Sequence, residues 1–276
     1  MTENPACTED HAAALRRRID TLRPHTARIW NYWLGGSDYY EVDRVAGDHI
    51  RELHPAIDAY ARADRLFLGR AVRHLVAEAG IRQFLDIGTG LPTADNTHEV
   101  AQRLAPDARI VYVDNDPLVL AHARALLTSS PEGRTDHLDE DLRNVDAILE
   151  RAADTLDLSR PVALMLLGVV IFLRDDEDPY GTVRRLMDAL PPGSHLVLSH
   201  TITSPALPEV DAAVRYWNER GIPGLIQRTP QAVARFFDGL DLLEPGVLSC
   251  SRWRPEHPGG DEPQEVAMYG GVGRKR

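Results

Sequence analysis

Two segments constrain this chain more than any others: Phe84-Leu85-Asp86-Ile87-Gly88-Thr89-Gly90 and Val111-Tyr112-Val113-Asp114-Asn115-Asp116. The first reads as a buried strand running into a glycine turn, the second as a strand that ends on acids. Glycine has no Cβ and tolerates positive φ, so the turn lets backbone approach a ligand closely. An acid at the second strand end offers two oxygens that suit a vicinal diol. From Ile81 onward the pattern alternates. Strands are expected at 82–87, 109–113, 162–168 and 194–199, with a weaker one near 135–140. Helices are expected between them at about 95–105, 117–128, 144–155 and 177–190. Short apolar strands alternating with helices imply a parallel sheet covered on both faces.

The flanks differ from this middle. Residues 1 to about 80 read as helical, with an amphipathic stretch at Ala12–Leu22 and a longer one at Asp58–Ala79, stopped by Gly80. After His200, Pro208–Arg220 reads as a helix, and Thr229-Pro230 opens another that ends near Phe237. Two strands, roughly 240–253 and 265–272, close the chain as an antiparallel hairpin around a Pro/Gly/acid-rich turn at 255–263. The expected fold is α/β: a Rossmann-like, doubly wound mixed sheet of about seven strands with a C-terminal antiparallel hairpin and an N-terminal helical layer. Residues 1–80 are expected to form a cap on a ligand-binding domain of residues 81–276.

The glycine loop favours one adenine-nucleoside ligand. A dinucleotide fingerprint wants glycine or alanine at the third position of G-x-G-x-x-G, and Thr93 stands there, preceded by Pro92. Asp86 ahead of the first glycine would repel a pyrophosphate but suits a positive amine. S-adenosylmethionine has that amine, a sulfonium and no phosphate. No G-x-x-x-x-G-K-[ST] string occurs, which excludes a P-loop. An ordinary strand-turn-helix without a ligand is the bland alternative.

Composition sets further limits. The 276 residues carry a formal net charge of −11, which argues against a nucleic-acid backbone as the main partner. Arg16-Arg17-Arg18 is the densest basic run and reads as a solvated helix face. Lys275 is the only lysine, so no lysine base is expected within the fold. Cys7 and Cys250 are the only cysteines, with no zinc spacing and no disulfide framework. The N-terminus lacks an apolar signal core, and the apolar run 161–173 is too short to span a bilayer. A cytoplasmic protein with no membrane partner is expected.

On these motifs the chain resembles the class I S-adenosylmethionine-dependent methyltransferases over residues 81 to 273. The resemblance implies that Asp86, Gly88, Thr89 and Gly90 hold the methionine part and lie under the ribose. It implies that Asp114 binds the ribose, Asn115 sits by the adenine, and Asp141-Leu142 flank the adenine ring. Leu167-Gly168-Val169 matches the position that faces the transferred methyl. The gap from Asp86 to Asp114 is longer than usual for the family, so the loop after Gly90 carries extra residues. No D/N-P-P-Y/F string follows the fourth strand, which disfavours amino-nitrogen methylation of adenine, cytosine or glutamine. The segment Arg28–Tyr40, with Leu91-Pro92-Thr93 and Asn96-Thr97-His98-Glu99, is similar to one bacterial subfamily, typical of actinobacteria, with no settled substrate.

Five of the seventeen aromatics lie within residues 30–40, around Gly35-Gly36. Such a segment either closes over the ligand as a glycine-hinged lid or glues the helical layer to the sheet. Both readings hold together where Tyr32 and Tyr40 face the ligand while Trp30 and Trp33 pack. His200 is the candidate general base, because it ends the fifth strand at the carboxyl edge of the sheet; a hydrogen-bonded strand-end histidine is its structural alternative. Trp217 and Tyr216 are candidates for the wall of the acceptor pocket, with a packing role as the equal alternative. The functional reading is a methyltransferase acting on a small-molecule acceptor. The alternatives are a non-catalytic S-adenosylmethionine-binding protein and a nicotinamide-dependent oxidoreductase.

Overall fold

Buried β-branched and leucine runs form the strands, and apolar stripes at helical spacing form the layers around them. The structure, a computed structural model, describes residues 19–126, 128–221, 223–255 and 262–276. The Arg16-Arg17-Arg18 run and the start of the Ala12–Leu22 stretch lie outside the described residues, and its described end, 19–22, is non-helical. Most of the 255–263 turn also lies outside them.

Three helices come first: α1 (Thr26–Trp33), α2 (Glu41–Leu53) and α3 (Ile57–Ala77). On α3 the residues Tyr60, Asp64, Phe67, Ala71 and Leu75 recur every three or four positions and are all buried. The alternating core follows as β1 (Gln83–Ile87), α4 (Thr97–Leu104), β2 (Arg109–Asp114), α5 (Pro117–Leu126), β3 (Arg134–Asp139), α6 (Val145–Ala152), β4 (Ala163–Leu167), α7 (Pro179–Asp188) and β5 (His195–Thr201). Then come α8 (Pro208–Arg220), α9 (Pro230–Ala234) and the strands β6 (Asp241–Leu242), β7 (Leu248–Ser249) and β8 (Met268–Arg274). Each strand expected between 82 and 199 falls within two residues of its place.

The sheet runs β3-β2-β1-β4-β5-β8-β6, with β7 also paired to β8. The first five strands are parallel, with Leu85 opposite Val111 on one side and Leu164 on the other. β8 runs antiparallel to β5, with Leu198 opposite Gly271. The sheet therefore has eight strands among the described residues rather than about seven. The expected strand 240–253 is two short pieces, because the turn at Pro245-Gly246 interrupts it and Gly246 N–H donates to the Leu243 carbonyl. Proline has no N–H to give a ladder. Strand order reverses between β1 and β4, so their carboxyl ends open a crevice at the switch point. The hydrophobic core includes residues on both sides of position 80, Phe67 and Leu75 together with Phe84 and Leu85. Among the described residues no helix is long and apolar enough to cross a membrane.

Candidate functional site

A cavity of about 350 Å³ opens at that switch point. Its floor is the loop after β1. Gly88 has φ +76°, and a Cβ there would lie 2.3 Å from Val169 Cγ2, so the loop and the segment after β4 touch at a point where no side chain fits. Gly90 N–H donates to Asp114 Oδ2 at 3.0 Å, and Asp116 N–H donates to Asp114 Oδ1 at 2.9 Å. These bonds lock the Asp114 carboxylate at the end of β2, half-buried in the cavity wall. Burial lifts its pKa to about 6, against those two donors.

Further along the same edge, Asn115 Nδ2 donates to Asp141 Oδ2 at 2.9 Å and ties the ends of β2 and β3 together. Arg143 bonds Asp141, Glu177 and the Phe172 carbonyl, which closes that end of the cavity. Leu142 supplies an apolar wall between them.

The opposite end is set by α3 and α4. Thr97 Oγ1 donates to Asp86 Oδ2 at 2.6 Å. Asp64, 7% exposed, lines the cavity beside Gly168, whose N–H donates to Ser199 Oγ at 3.0 Å. Burial lifts both Asp64 and Asp86 to about 6. Arg65 reaches back to the Ala94 carbonyl and Asn96 Oδ1, pinning the extended loop after Gly90. Beyond Asp64 the cavity becomes apolar, walled by Trp30, Trp33, Ile50, Ile57 and Trp217.

The donor set tests which nucleoside ligand fits. Asp64, Asp86, Asp114, Glu140 and Asp141 line the cavity against Arg65 and Arg143, so it is anionic. A pyrophosphate would meet repulsion there, whereas ribose hydroxyls and an ammonium meet acceptors. The sequence model of the S-adenosyl methyltransferase family matches residues 12–276. The chain belongs to that family. Its cofactor is S-adenosylmethionine, and the anionic, glycine-floored cavity fits it.

Solved relatives agree. A crystal structure of a DUF574 family protein from Streptomyces avermitilis is 46% identical, with a TM-score of 0.90, over 94% of this chain and 100% of that one. A second, from Thermobifida fusca, is 39% identical with a TM-score of 0.85 over 92% and 96%. The mitomycin 7-O-methyltransferase MmcR, 18% identical at a TM-score of 0.51 over 79% of this chain and 56% of that one, shares the fold. A carboxy-S-adenosyl-L-methionine synthase from Chromohalobacter salexigens is 33% identical over 136 residues, and that match spans 45% of the synthase and 48% of this chain. The nicotinamide-dependent alternative finds no support among these relatives.

In this member of the family, Asp86, Gly88, Thr89, Gly90, Asp114, Asn115, Asp141, Leu142, Gly168 and Trp217 all line the same cavity. His200 does not. Side chains alternate along a strand, so Ser199 and Thr201 face the cavity side and His200 faces away. His200 is 0% exposed; its Nδ1–H donates to the Thr201 carbonyl at 2.7 Å, and its Nε2 accepts from Arg228 at 2.8 Å. Burial pushes its pKa down to about 3, so it is neutral and a poor base.

The aromatic segment is also rearranged. Trp30 and Trp33 line the cavity, while Tyr32, Gly35, Gly36 and Tyr40 do not. Tyr32 OH donates to Asp48 Oδ1 at 2.6 Å, and Tyr40 precedes α2, its N–H held by Asp43. Gly35 and Gly36 are a helix stop rather than a hinge. Gly36 N–H donates to the Asn31 carbonyl and Gly35 N–H to the Tyr32 carbonyl, with Gly35 at φ +85°. Among the cavity residues that sequence reasoning missed are His54, Tyr60, Asp64 and Arg65. One signal was present: a carboxylate at position 64 on the apolar stripe of α3.

Proposed function

We propose that this chain transfers the methyl group of S-adenosylmethionine to a small, largely apolar acceptor. The observation that carries this reading is a single cavity with two unlike ends, an anionic glycine-floored end and an apolar aromatic end that meet at Gly168. Asp114 would accept from the ribose hydroxyls, with Asn115, Asp141 and Leu142 about the adenine. Gly88, Thr89 and Gly90 would pass beneath the ribose and methionine. Asp86 and Asp64 would accept from the ammonium, and Arg65 would face the carboxylate. Gly168 would border the methyl.

When bound, the cofactor supplies a methyl carbon on a positively charged sulfur, a very good leaving group. The protein's own work is then alignment and exclusion of water. The helices before Ile81 act as a cap, since Trp30, Trp33, Tyr60 and Asp64 come from them. Calorimetric titration with S-adenosylmethionine and S-adenosylhomocysteine, with NAD as control, tests the reading on wild type and Asp114→Ala. Micromolar binding lost in the variant is expected, followed by release of S-adenosylhomocysteine with an acceptor panel. Binding of NAD alone overturns it.

A further inference from the structure

The apolar end of the cavity contains one unexplained polar group. His54 ends α2, where the following Pro55 disfavours helical backbone and φ is −134°, and its ring lines the cavity at 5% exposure. Neither ring nitrogen has a hydrogen-bond partner. A neutral imidazole always carries one donor and one acceptor, and leaving both unpaired in an apolar wall is costly. Three other polar tips around it are satisfied. Tyr60 OH lies 2.5 Å from Thr201 Oγ1, Trp33 Nε1 donates to the Gly47 carbonyl, and Trp217 Nε1 donates to the Pro223 carbonyl at 2.7 Å.

The walls beside His54 are flat and aromatic. Its ring meets Tyr60 edge-on at 6.2 Å, Tyr60 meets Trp30 at 5.7 Å, and Trp30 meets Trp33 at 6.1 Å. Ile50, Ile57 and Trp217 complete the chamber. Such walls accept a planar aromatic ring through offset and edge contacts. Burial lowers the pKa of His54, which favours the uncharged ring, with one nitrogen open to accept a hydrogen bond.

We propose that the acceptor is a planar aromatic molecule bearing a hydroxyl, and that His54 takes the hydrogen bond and then the proton of that hydroxyl. This rests on the methyltransferase reading above. As the acceptor oxygen forms its bond to the methyl carbon, the O–H proton passes to a His54 nitrogen. The C–S bond breaks with its electron pair going to sulfur, so an imidazolium replaces the sulfonium and charge balances. The imidazolium then returns its proton to solvent.

The test uses 2-naphthol and naphthalene as probes, titrated by ligand-observed NMR against the full chain with and without S-adenosylhomocysteine. Wild type is expected to bind 2-naphthol at least tenfold tighter than naphthalene. His54→Phe keeps an aromatic ring and is expected to erase that preference while naphthalene affinity stays within twofold. His54→Gln, which can still accept, is expected to keep part of it and serves if the phenylalanine variant fails to fold. In ¹⁵N-histidine spectra, one resonance missing from both variants shifts with 2-naphthol and stays put with naphthalene. Equal affinity for the two probes, binding of neither, or a preference that survives His54→Phe overturns the proposal. Failure of S-adenosylhomocysteine to bind wild type falls instead on the methyltransferase reading, and the probe preference measured without it still tests His54.

Discussion

Asp64→Asn is expected to make the ligand-free protein more stable and to cripple its cofactor binding. Burial lifts the Asp64 carboxyl from the usual 3.8 to about 6, eased in part by the Ser199 hydroxyl and Arg65. Each pH unit between those values is worth about 1.4 kcal/mol. Holding the ionised carboxylate in the fold at pH 7.5 therefore costs about 3 kcal/mol. In the unfolded chain this carboxyl loses its proton near 3.8, in the folded chain near 6. Between these values the unfolded state holds fewer protons, so this contribution falls as pH rises and is whole only below 3.8. Asparagine removes the charge at similar size, but its amide hydrogens need acceptors, a loss of about 1 kcal/mol. Urea unfolding is expected to show the variant about 2 kcal/mol more stable than wild type at pH 7.5, the gain shrinking toward pH 4. Calorimetry separates the functional half. A charge-assisted bond to the ammonium is worth about 2–3 kcal/mol, so affinity for S-adenosylhomocysteine drops about 30- to 150-fold. Affinity for 5′-methylthioadenosine, which lacks the amino-acid tail, stays within twofold. A variant less stable than wild type at pH 7.5, or one whose two affinities fall together, refutes the reasoning.

Gly88→Ala places a methyl 2.3 Å from Val169 Cγ2 at φ +76°, and the strain and overpacking together cost about 2–5 kcal/mol in a denaturant midpoint series. S-adenosylhomocysteine binding is expected to vanish with it. Thr97→Val deletes the hydroxyl that donates to Asp86, costing about 1–3 kcal/mol, more at pH 7.5 than at pH 5 because the ionised carboxylate needs the donor most. Parallel unfolding curves at the two pH values check the sign. His200→Phe strips Arg228 of a buried partner and costs about 1–3 kcal/mol, yet cofactor affinity and turnover of the folded fraction are expected to hold within twofold. A large loss of turnover at unchanged stability would return His200 to the chemistry.

What was legible in the sequence was what local chemistry decides. The strands around Leu85, Val111 and Leu164 announce themselves as apolar runs, and Gly88, Gly90 and Asp114 are read from strand-end chemistry alone. Asn115 and Asp141 came from the family motif, and the structure bonds them to each other. His200 was misread because one residue of register decides which face of β5 a side chain takes, and sequence spacing does not show which face meets the cavity. Gly35-Gly36 looked like a hinge because a left-handed helix stop and a flexible joint have the same composition. His54, Tyr60, Asp64 and Arg65 were missed for a deeper reason. Their place in the cavity depends on how the end of α2 and the face of α3 dock across the switch point, which is a tertiary fact.

That docking explains why the helical layer belongs to the site. Tyr60 and Asp64 are four residues apart, so they share one face of α3. Tyr60 meets Thr201 at the end of β5, and Asp64 stands beside Gly168 at the end of β4. Arg65 turns to the loop after Gly90 through Ala94 and Asn96. The same stripe continues through Phe67, Ala71 and Leu75 into the core shared with β1. One helix, held by burial, thereby fixes the spacing between the apolar chamber, Gly168 and the glycine loop. Methyl transfer demands little of a protein beyond that spacing, because alignment is most of the catalysis. The change of rhythm near residue 80 therefore divides two styles of sequence, while the cavity is lined from both sides of it.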